Sequence, residues 1–266
     1  TAILTVIKGT PTIAISNLSK STIDPTFTFA SSTPSDGART FSSNTPGVAT
    51  IHPSSGLVTI VGIVGTTTIT VSQVATTNYN APSNATATLT VIKGTPILSA
   101  FSIAPKIFGI SPFAVTAPAS QNTVGAFYYT SDTLGVAKVT DGTTITIVGA
   151  GSATITANQE ATTNFNAPTA ITAILTVSKA TPTIVVSNIT KSSIDPTFTF
   201  ARSTASDGAL TFSSSAPSVA TVNSASGVVT VVSAGTATIT VSQVASTNYN
   251  APTNATATLT VTAGTL

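Results

Sequence analysis

The sequence predicts an all-β chain of tandem two-sheet sandwiches, and three observations carry that prediction. Apolar residues alternate with small or hydroxyl residues at a period of two, as in Thr66-Thr67-Thr68-Ile69-Thr70-Val71 and Thr236-Ala237-Thr238-Ile239-Thr240-Val241. Turn residues punctuate these runs at short intervals: Ser35-Asp36-Gly37, Ser55-Gly56, Gly65, Asp141-Gly142, Gly151, Ser226-Gly227 and Gly235. The pattern then repeats. Lys8-Gly9-Thr10-Pro11 returns as Lys93-Gly94-Thr95-Pro96 and as Lys179-Ala180-Thr181-Pro182, about 86 residues apart.

A spacing of that size is a whole small domain, longer than a solenoid coil. It divides the chain into modules at 8–92, 93–178 and 179–266. Each begins at a Lys-x-Thr-Pro junction and carries an aromatic loop between its last two strands: Thr77-Asn78-Tyr79-Asn80-Ala81-Pro82, Thr163-Asn164-Phe165-Asn166-Ala167-Pro168 and Thr247-Asn248-Tyr249-Asn250-Ala251-Pro252. The first and third modules are near copies, type A; the middle one, type B, diverges through its first half. Thr1-Ala2-Ile3-Leu4-Thr5-Val6 is identical to Thr172-Ala173-Ile174-Leu175-Thr176-Val177. Residues 1–7 therefore read as the last strand of a preceding type B module, and the chain as part of a longer array of alternating pairs.

Within a module the elements follow in order. Asp24-Pro25 and Asp195-Pro196 set up strand entry, with Phe27/Phe29 and Phe198/Phe200 filling the core. Val48-Ala49-Thr50-Ile51 and Leu57-Val58-Thr59-Ile60 flank a turn at Ser55-Gly56, and the middle module shortens that turn. Gly65 opens the longer run to Val71, and Ala87-Thr88-Leu89-Thr90-Val91 closes the module. β-Branched Thr, Val and Ile suit a pleated sheet with one packed and one wet face. About seven short strands per module, with a turn every 8 to 12 residues, make a sandwich.

Composition narrows the function classes. Of 266 residues, 41% are hydrophobic and 6% charged, with a net charge of +2. Ser and Thr supply about a third, so polarity comes from hydroxyls. Disordered chains are poor in Val, Ile and Phe, and this one is rich in them. No stretch approaches the ~18 consecutive apolar residues of a membrane-crossing helix. The nine Lys and Arg lie singly along the chain, without the basic cluster a phosphate backbone needs. There is no Cys, hence no disulfide and no thiolate metal site, and no Met.

Val48-Ala49-Thr50-Ile51, Ser55-Gly56-Leu57-Val58-Thr59-Ile60-Val61-Gly62 and Gly65-Thr66-Thr67-Thr68-Ile69-Thr70-Val71 resemble the second half of bacterial immunoglobulin-like domains of the intimin/invasin type (group 2). Pro217-Ser218-Val219-Ala220-Thr221-Val222, Ser226-Gly227-Val228-Val229-Thr230-Val231-Val232 and Ala234-Gly235-Thr236-Ala237-Thr238-Ile239-Thr240-Val241 match that pattern more closely. The middle module keeps Gly135-Val136-Ala137-Lys138-Val139 and Gly149-Ala150-Gly151-Ser152-Ala153-Thr154-Ile155-Thr156. The resemblance implies tandem immunoglobulin-like β-sandwiches in an elongated rod, serving as stalk or adhesive modules of cell-surface, phage or viral surface proteins. The membrane barrel and lectin-like tip of intimin and invasin themselves have no counterpart in the sequence.

Candidate chemistry is sparse. His52, the single His, sits beside Pro53 in a turn, and Asn223 replaces it in the third module, which argues against a triad or metal role. Asp24, Asp36, Asp132, Asp141, Glu160, Asp195 and Asp207 form no calcium-type loop. Lys8, Lys20 and Asp24 supply parts of an intramolecular Lys–Asn isopeptide bond without an identifiable Asn. Tyr79 and Tyr249 alternate with Phe165, so their rings are expected to pack on the sandwich edge. Tyr128 and Tyr129, present only in the middle module, are the candidate partner contact, and strand alternation turns one of them outward. Asn17, Asn84, Asn188 and Asn254 lie in N-glycosylation sequons. Thr-x-Thr strands raise ice binding, but an 86-residue repeat builds no Thr ladder.

The reading is a structural segment of a large extracellular repeat protein, a semi-rigid stalk or fibre on a cell, filament or virion surface. Its alternatives are an adhesive module taking a host glycan or receptor and the subunit of a self-assembling filament. No catalysis, cofactor, metal, nucleic acid or membrane insertion is expected; partners are further copies of the repeat. Strand rise predicts roughly 35–40 Å per module and about 110–120 Å for three in line.

Overall fold

The computed structural model describes residues 1–264; the last two residues of the 179–266 module lie outside them. Strands, turns and bends account for all the regular structure among the described residues, which contain no helix. The first repeat contains β1 (Leu18–Ser21), β2 (Phe27–Thr28), β3 (Arg39–Ser43), β4 (Ala49–Ile51), β5 (Leu57–Ile60), β6 (Gly65–Gln73) and β7 (Ala85–Ile92). They form a four-stranded sheet in the order β1-β7-β6-β3 and a three-stranded sheet in the order β2-β5-β4. β1 runs parallel to β7, while β6 pairs antiparallel with both β7 and β3.

The second repeat reproduces this with β8 (Lys106–Ile107), β9 (Phe113–Ala114), β10 (Phe127–Ser131), β11 (Ala137–Thr140), β12 (Thr144–Ile147), β13 (Gly151–Gln159) and β14 (Ile171–Ser178). Its sheets run β10-β13-β14-β8 and β11-β12-β9. The third adds a small pair, β15 (Val185–Val186) with β18 (Arg202–Ser203), to β16 (Ile189–Ser192), β17 (Phe198–Thr199), β19 (Leu210–Ser214), β20 (Ala220–Val222), β21 (Val228–Val231), β22 (Gly235–Gln243) and β23 (Ala255–Thr262). Its main sheets are β16-β23-β22-β19 and β17-β21-β20.

Period-two patterning becomes burial directly. In β6 the inward residues Thr67, Ile69, Val71 and Gln73 are buried, and in β7 Ala87, Leu89 and Val91. They meet Ala49 and Val58 of the facing sheet, with Phe29 and Phe41 filling the space between. The third repeat builds the same core from Phe200, Phe212, Ala220, Val229, Ile239, Val241, Leu259 and Val261. At roughly 25 cal/mol per Å² of apolar surface, such two-sided packing is the main stabilising term. The turn glycines are fixed by the same core. Gly56 adopts φ +69°, and a Cβ there would meet the Phe41 ring at 3.1 Å. The middle repeat turns instead at Asp141, φ 54°, and Gly142, φ 69°.

The Pro-bearing segments that open each repeat begin with isolated bridges: Gly9 with Tyr79, Gly94 with Phe165 and Ala180 with Tyr249. Pro11, Pro96 and Pro182 follow two residues later and lack the N–H that would extend a ladder. The strand entry after Pro25 likewise begins two residues on, at Phe27.

Compactness does not follow the repeats. The chain divides into two units: residues 1–101, 117–128 and 157–171, and residues 102–116, 129–156 and 172–266. The joint between the first and second repeats lies inside the first unit, and the joint between the second and third inside the second.

Candidate functional site

The site with the most built chemistry is the joint between repeats. It starts from the aromatic loop near the end of each repeat, which is tied to that repeat's own opening segment. In the first repeat Gly9 N–H donates to the Asn78 carbonyl, Asn80 N–H to the Gly9 carbonyl, and the Lys8 ammonium to the Thr76 carbonyl at 2.8 Å. Asn80 Nδ2 also donates to Thr10 Oγ1. The ties recur at Lys93 with Thr162 and Asn166 with Thr95, then at Lys179 with Ser246 and Asn250 with Thr181. Held this way, the first Asn of each Asn-aromatic-Asn loop projects from the repeat.

At the first joint Val64 N–H, in the turn before β6, donates to Asn164 Oδ1 at 3.1 Å. The Thr22 hydroxyl relays between strands of the joint: it accepts from Gly94 N–H at 3.0 Å and donates to the Asn164 carbonyl at 2.9 Å. Gly94 is buried, and a Cβ there would meet Ile23 at 2.8 Å. At the second joint Ala150 N–H, at the position matching Val64, donates to Asn248 Oδ1 at 2.8 Å. There Phe108 packs edge-on against Tyr249, ring centres 5.4 Å apart and planes at 85°. An Asn carbonyl oxygen thus closes a turn amide twice, and a side chain lies across the gap each time. Turn amides left bare are costly once covered, so the Asn is what allows the surfaces to close.

A second recurring device was not anticipated from sequence. Gln73, Gln159 and Gln243 end the long central strand of each repeat and are buried. Gln73 Oε1 accepts from the Thr33 hydroxyl, and its Nε2 donates to the carbonyls of Ser35 and Gly37. Gln159 does the same with Ser120, Asn122 and Gly125, and Gln243 with Thr204, Ser206 and Gly208. Each clasp pins the loop that leads into β3, β10 or β19. The available signal was recurrence: Gln keeps its place even in the divergent middle repeat.

The remaining candidates fall as follows. Tyr128 is 44% exposed and Tyr129 5% exposed, so the outward ring is Tyr128. Burial pushes the Tyr129 phenol up from its ordinary value. Asn17, Asn84, Asn188 and Asn254 are all exposed. Asn17 and Asn188 also accept from Thr88 and Thr258 N–H through Oδ1, each at 2.8 Å. His52 Nδ1 accepts from Ser55 N–H, and Asn223 Oδ1 accepts from Ser226 N–H in the third repeat. One acceptor replaces another in the same turn, which explains the exchange.

Asp24 accepts from the Ser21 hydroxyl at 2.6 Å, which holds its carboxyl below the ordinary range, and it lies 3.8 Å from Lys20. The Lys20 ammonium sits 4.9 Å from the Phe27 ring centre, while Lys8 is spent on Thr76. Asp132 accepts from Thr154 N–H and the Thr133 hydroxyl, and these bonds lower its pKa. No group of three His, Asp or Glu side chains converges on one point among the described residues. The hollow beside β1, between Ala14–Leu18 and Phe29–Ser32, holds no titratable side chain. Among the described residues no helix is long and apolar enough to cross a membrane.

Residues 196–245 match the family described as intimin, immunoglobulin-like domain. No curated protein matches the chain. Among solved structures the chain is similar to human CDH23 EC21-23, at 16% identity and TM-score 0.34, covering 94% of this chain and 100% of that one. It is similar to Sidekick-1 immunoglobulin domains 1-5, at 17% identity and TM-score 0.36, covering 96% and 59%. Surface layer protein SbsC, domains 1-6, is similar at 18% identity and TM-score 0.31, covering 97% and 41%. The intimin-type immunoglobulin-like match thus falls within the third repeat, whose pairing of a four-stranded with a three-stranded sheet the first and second repeats share.

Proposed function

We propose that the chain is a structural segment of a large extracellular repeat protein, a semi-rigid stalk or fibre on a cell or virus surface. The repeats at 8–92, 93–178 and 179–266 are its units, and residues 1–7 belong to the unit before. The observation that carries this reading is the bracing of both joints by the same Asn-to-backbone bond, Val64 to Asn164 and Ala150 to Asn248. A linker with such a brace resists bending, and the Pro two residues beyond it stiffens the entry further. Uncharged hydroxyl surfaces add to this, because stability then depends little on salt. Surface exposure is also where the intimin-type match of residues 196–245 points.

Negative-stain electron microscopy across a concentration series tests the reading. Isolated straight rods about 110–120 Å long are expected at every concentration. Particles bent at random angles at the joints would contradict it, and long fibres with an axial repeat would replace it with a self-assembling filament.

A second, adhesive reading has one observation in its favour. Tyr128 presents its ring to solvent on β10, where the first and third repeats carry Thr40 and Thr211. Exposed aromatic faces are what sugars stack on. Tyr128→Ala would abolish binding to an arrayed host glycan or receptor under this reading, while no change with any ligand on the array would exclude it.

A further inference from the structure

The end of the third repeat carries the counterparts of the surface that the second repeat covers on the first. Ser193, Ile194 and Ala234 stand where Thr22, Ile23 and Val64 stand, and Gly264 where Gly94 stands. The local geometry is already formed. Gly264 N–H donates to Ser193 Oγ at 2.9 Å, as Gly94 N–H does to Thr22 Oγ1, and Ile194 lies against Gly264 as Ile23 lies against Gly94. What is missing is the cover. Ile194 is 61% exposed, whereas Ile23 is half-buried; Ala234 is exposed, whereas Val64 is half-buried. Val64 N–H has the Asn164 oxygen, and Ala234 N–H has no protein acceptor among the described residues.

We propose that Ser193, Ile194 and the Ala234 amide form a preformed docking face for a further repeat of the middle type, joined in line. The repeat would be held through the first Asn of its Thr-Asn-Phe-Asn loop. The commitment to that occupant comes from the first joint, where an end of this same type A chemistry receives the type B loop at Asn164, through its side chain and its carbonyl. The opposite end of the chain agrees. Asn78, the first Asn of the first repeat's loop, is exposed, whereas Asn164 and Asn248 are half-buried in their joints. Asn78 thus matches the plug, and Ala234 with Ile194 the socket, and neither meets its counterpart among the described residues. In line, the two sides meet at high effective concentration, so one Asn bond and a few apolar contacts suffice. In trans the same contacts would have to offset the full loss of translational freedom.

The inference rests on the stalk reading but is tested apart from it, by amide hydrogen exchange rather than particle shape. The chain is compared with a fusion in which a second copy of residues 96–178 follows Thr265. The Ala234 amide is expected to slow about tenfold or more in the fusion, towards the rate of Val64, and to recover when the appended loop's first Asn is changed to Ala. An Ala234 rate unchanged in a fusion whose appended strands are protected would overturn the proposal. So would slowing of Ala234 with concentration in the unfused chain, because that assigns the face to a second copy. Should the fusion not fold, Asn164→Ala in the existing chain decides: Val64 exchange must accelerate about tenfold, and an unchanged rate would overturn the proposal. Straight rods with an unprotected Ala234 would leave the stalk reading standing and remove only this one.

Discussion

The first and third repeats are near copies that share an interior and differ in how their end surfaces are covered. Both bury the same core positions, Val58 and Val229, Ile69 and Ile239, Leu89 and Leu259. Both keep the Gln clasp and the Lys tie to the aromatic loop. Yet Ile23 is half-buried, where the second repeat lies against the end of the first, and Ile194 is 61% exposed. The core is therefore a property of each repeat, and the surface at its end is a property of the pair. A substitution inside the sandwich should act alike in the two copies. One at the joint should act in the first copy only.

The largest expected effect tests the shared interior. Gln73→Leu and Gln243→Leu each strand two carbonyls and a hydroxyl, and each should destabilise its own repeat by about 1–3 kcal/mol, equally in the two copies. Denaturant melts of the paired variants check this, and a difference beyond error would break the equivalence. Next comes the brace. Asn164→Ala should cost about 1 kcal/mol, whereas Asn78→Ala should stay within about 0.5 kcal/mol. Ile23→Ser should follow at about 1 kcal/mol or less, with Ile194→Ser smaller still.

The smallest effect depends on pH and belongs to the middle repeat. Hydrogen bonds from Thr154 and Thr133 lower the Asp132 pKa below its ordinary value of 3.8. A carboxyl with a depressed folded pKa adds stability above its unfolded pKa and loses it as pH falls through the folded one. Asn44 and Ser215 occupy the matching positions, accepting from Thr68 and Thr238 N–H, and neither titrates in that range. Below about pH 4, exchange of the Thr154 amide should therefore rise relative to Thr68 and Thr238, and Asp132→Asn should remove the difference.

Much of this architecture was legible before any coordinates. Alternation in Thr66–Val71 and Ala87–Val91 located β6 and β7, because a buried face at period two leaves few other solutions. That one ring of the Tyr128-Tyr129 pair faces outward followed from the same rule, and the burial of Tyr129 identifies it as Tyr128. The Gln clasps were not legible, since a polar side chain at the end of an alternating run reads as solvent-facing until its three partners are in place. The joints were hidden for a related reason. The aromatic ring of the Asn-Tyr-Asn loop drew attention, while the Asn beside it makes the bond to a turn amide that is distant in sequence, 100 residues for Val64 and Asn164.

The identical hexapeptides make the same point at the level of a single strand. Thr172–Val177 lies in β14 with Ala173, Leu175 and Val177 buried, while Thr1–Val6 forms no strand and leaves Ile3 90% exposed. Strand formation here is set by the sheet available to pair with, more than by the residues themselves.

The most direct measurement is native-state amide exchange on the unaltered 266-residue chain, read at Val64, Ala150 and Ala234. The braced joints predict that Val64 and Ala150 exchange at least about tenfold more slowly than Ala234, which holds the matching place before its strand glycine and has no Asn across from it among the described residues. Equal rates at all three amides would show that Asn164 and Asn248 do not hold the joints, and the account of a braced stalk would fall with them.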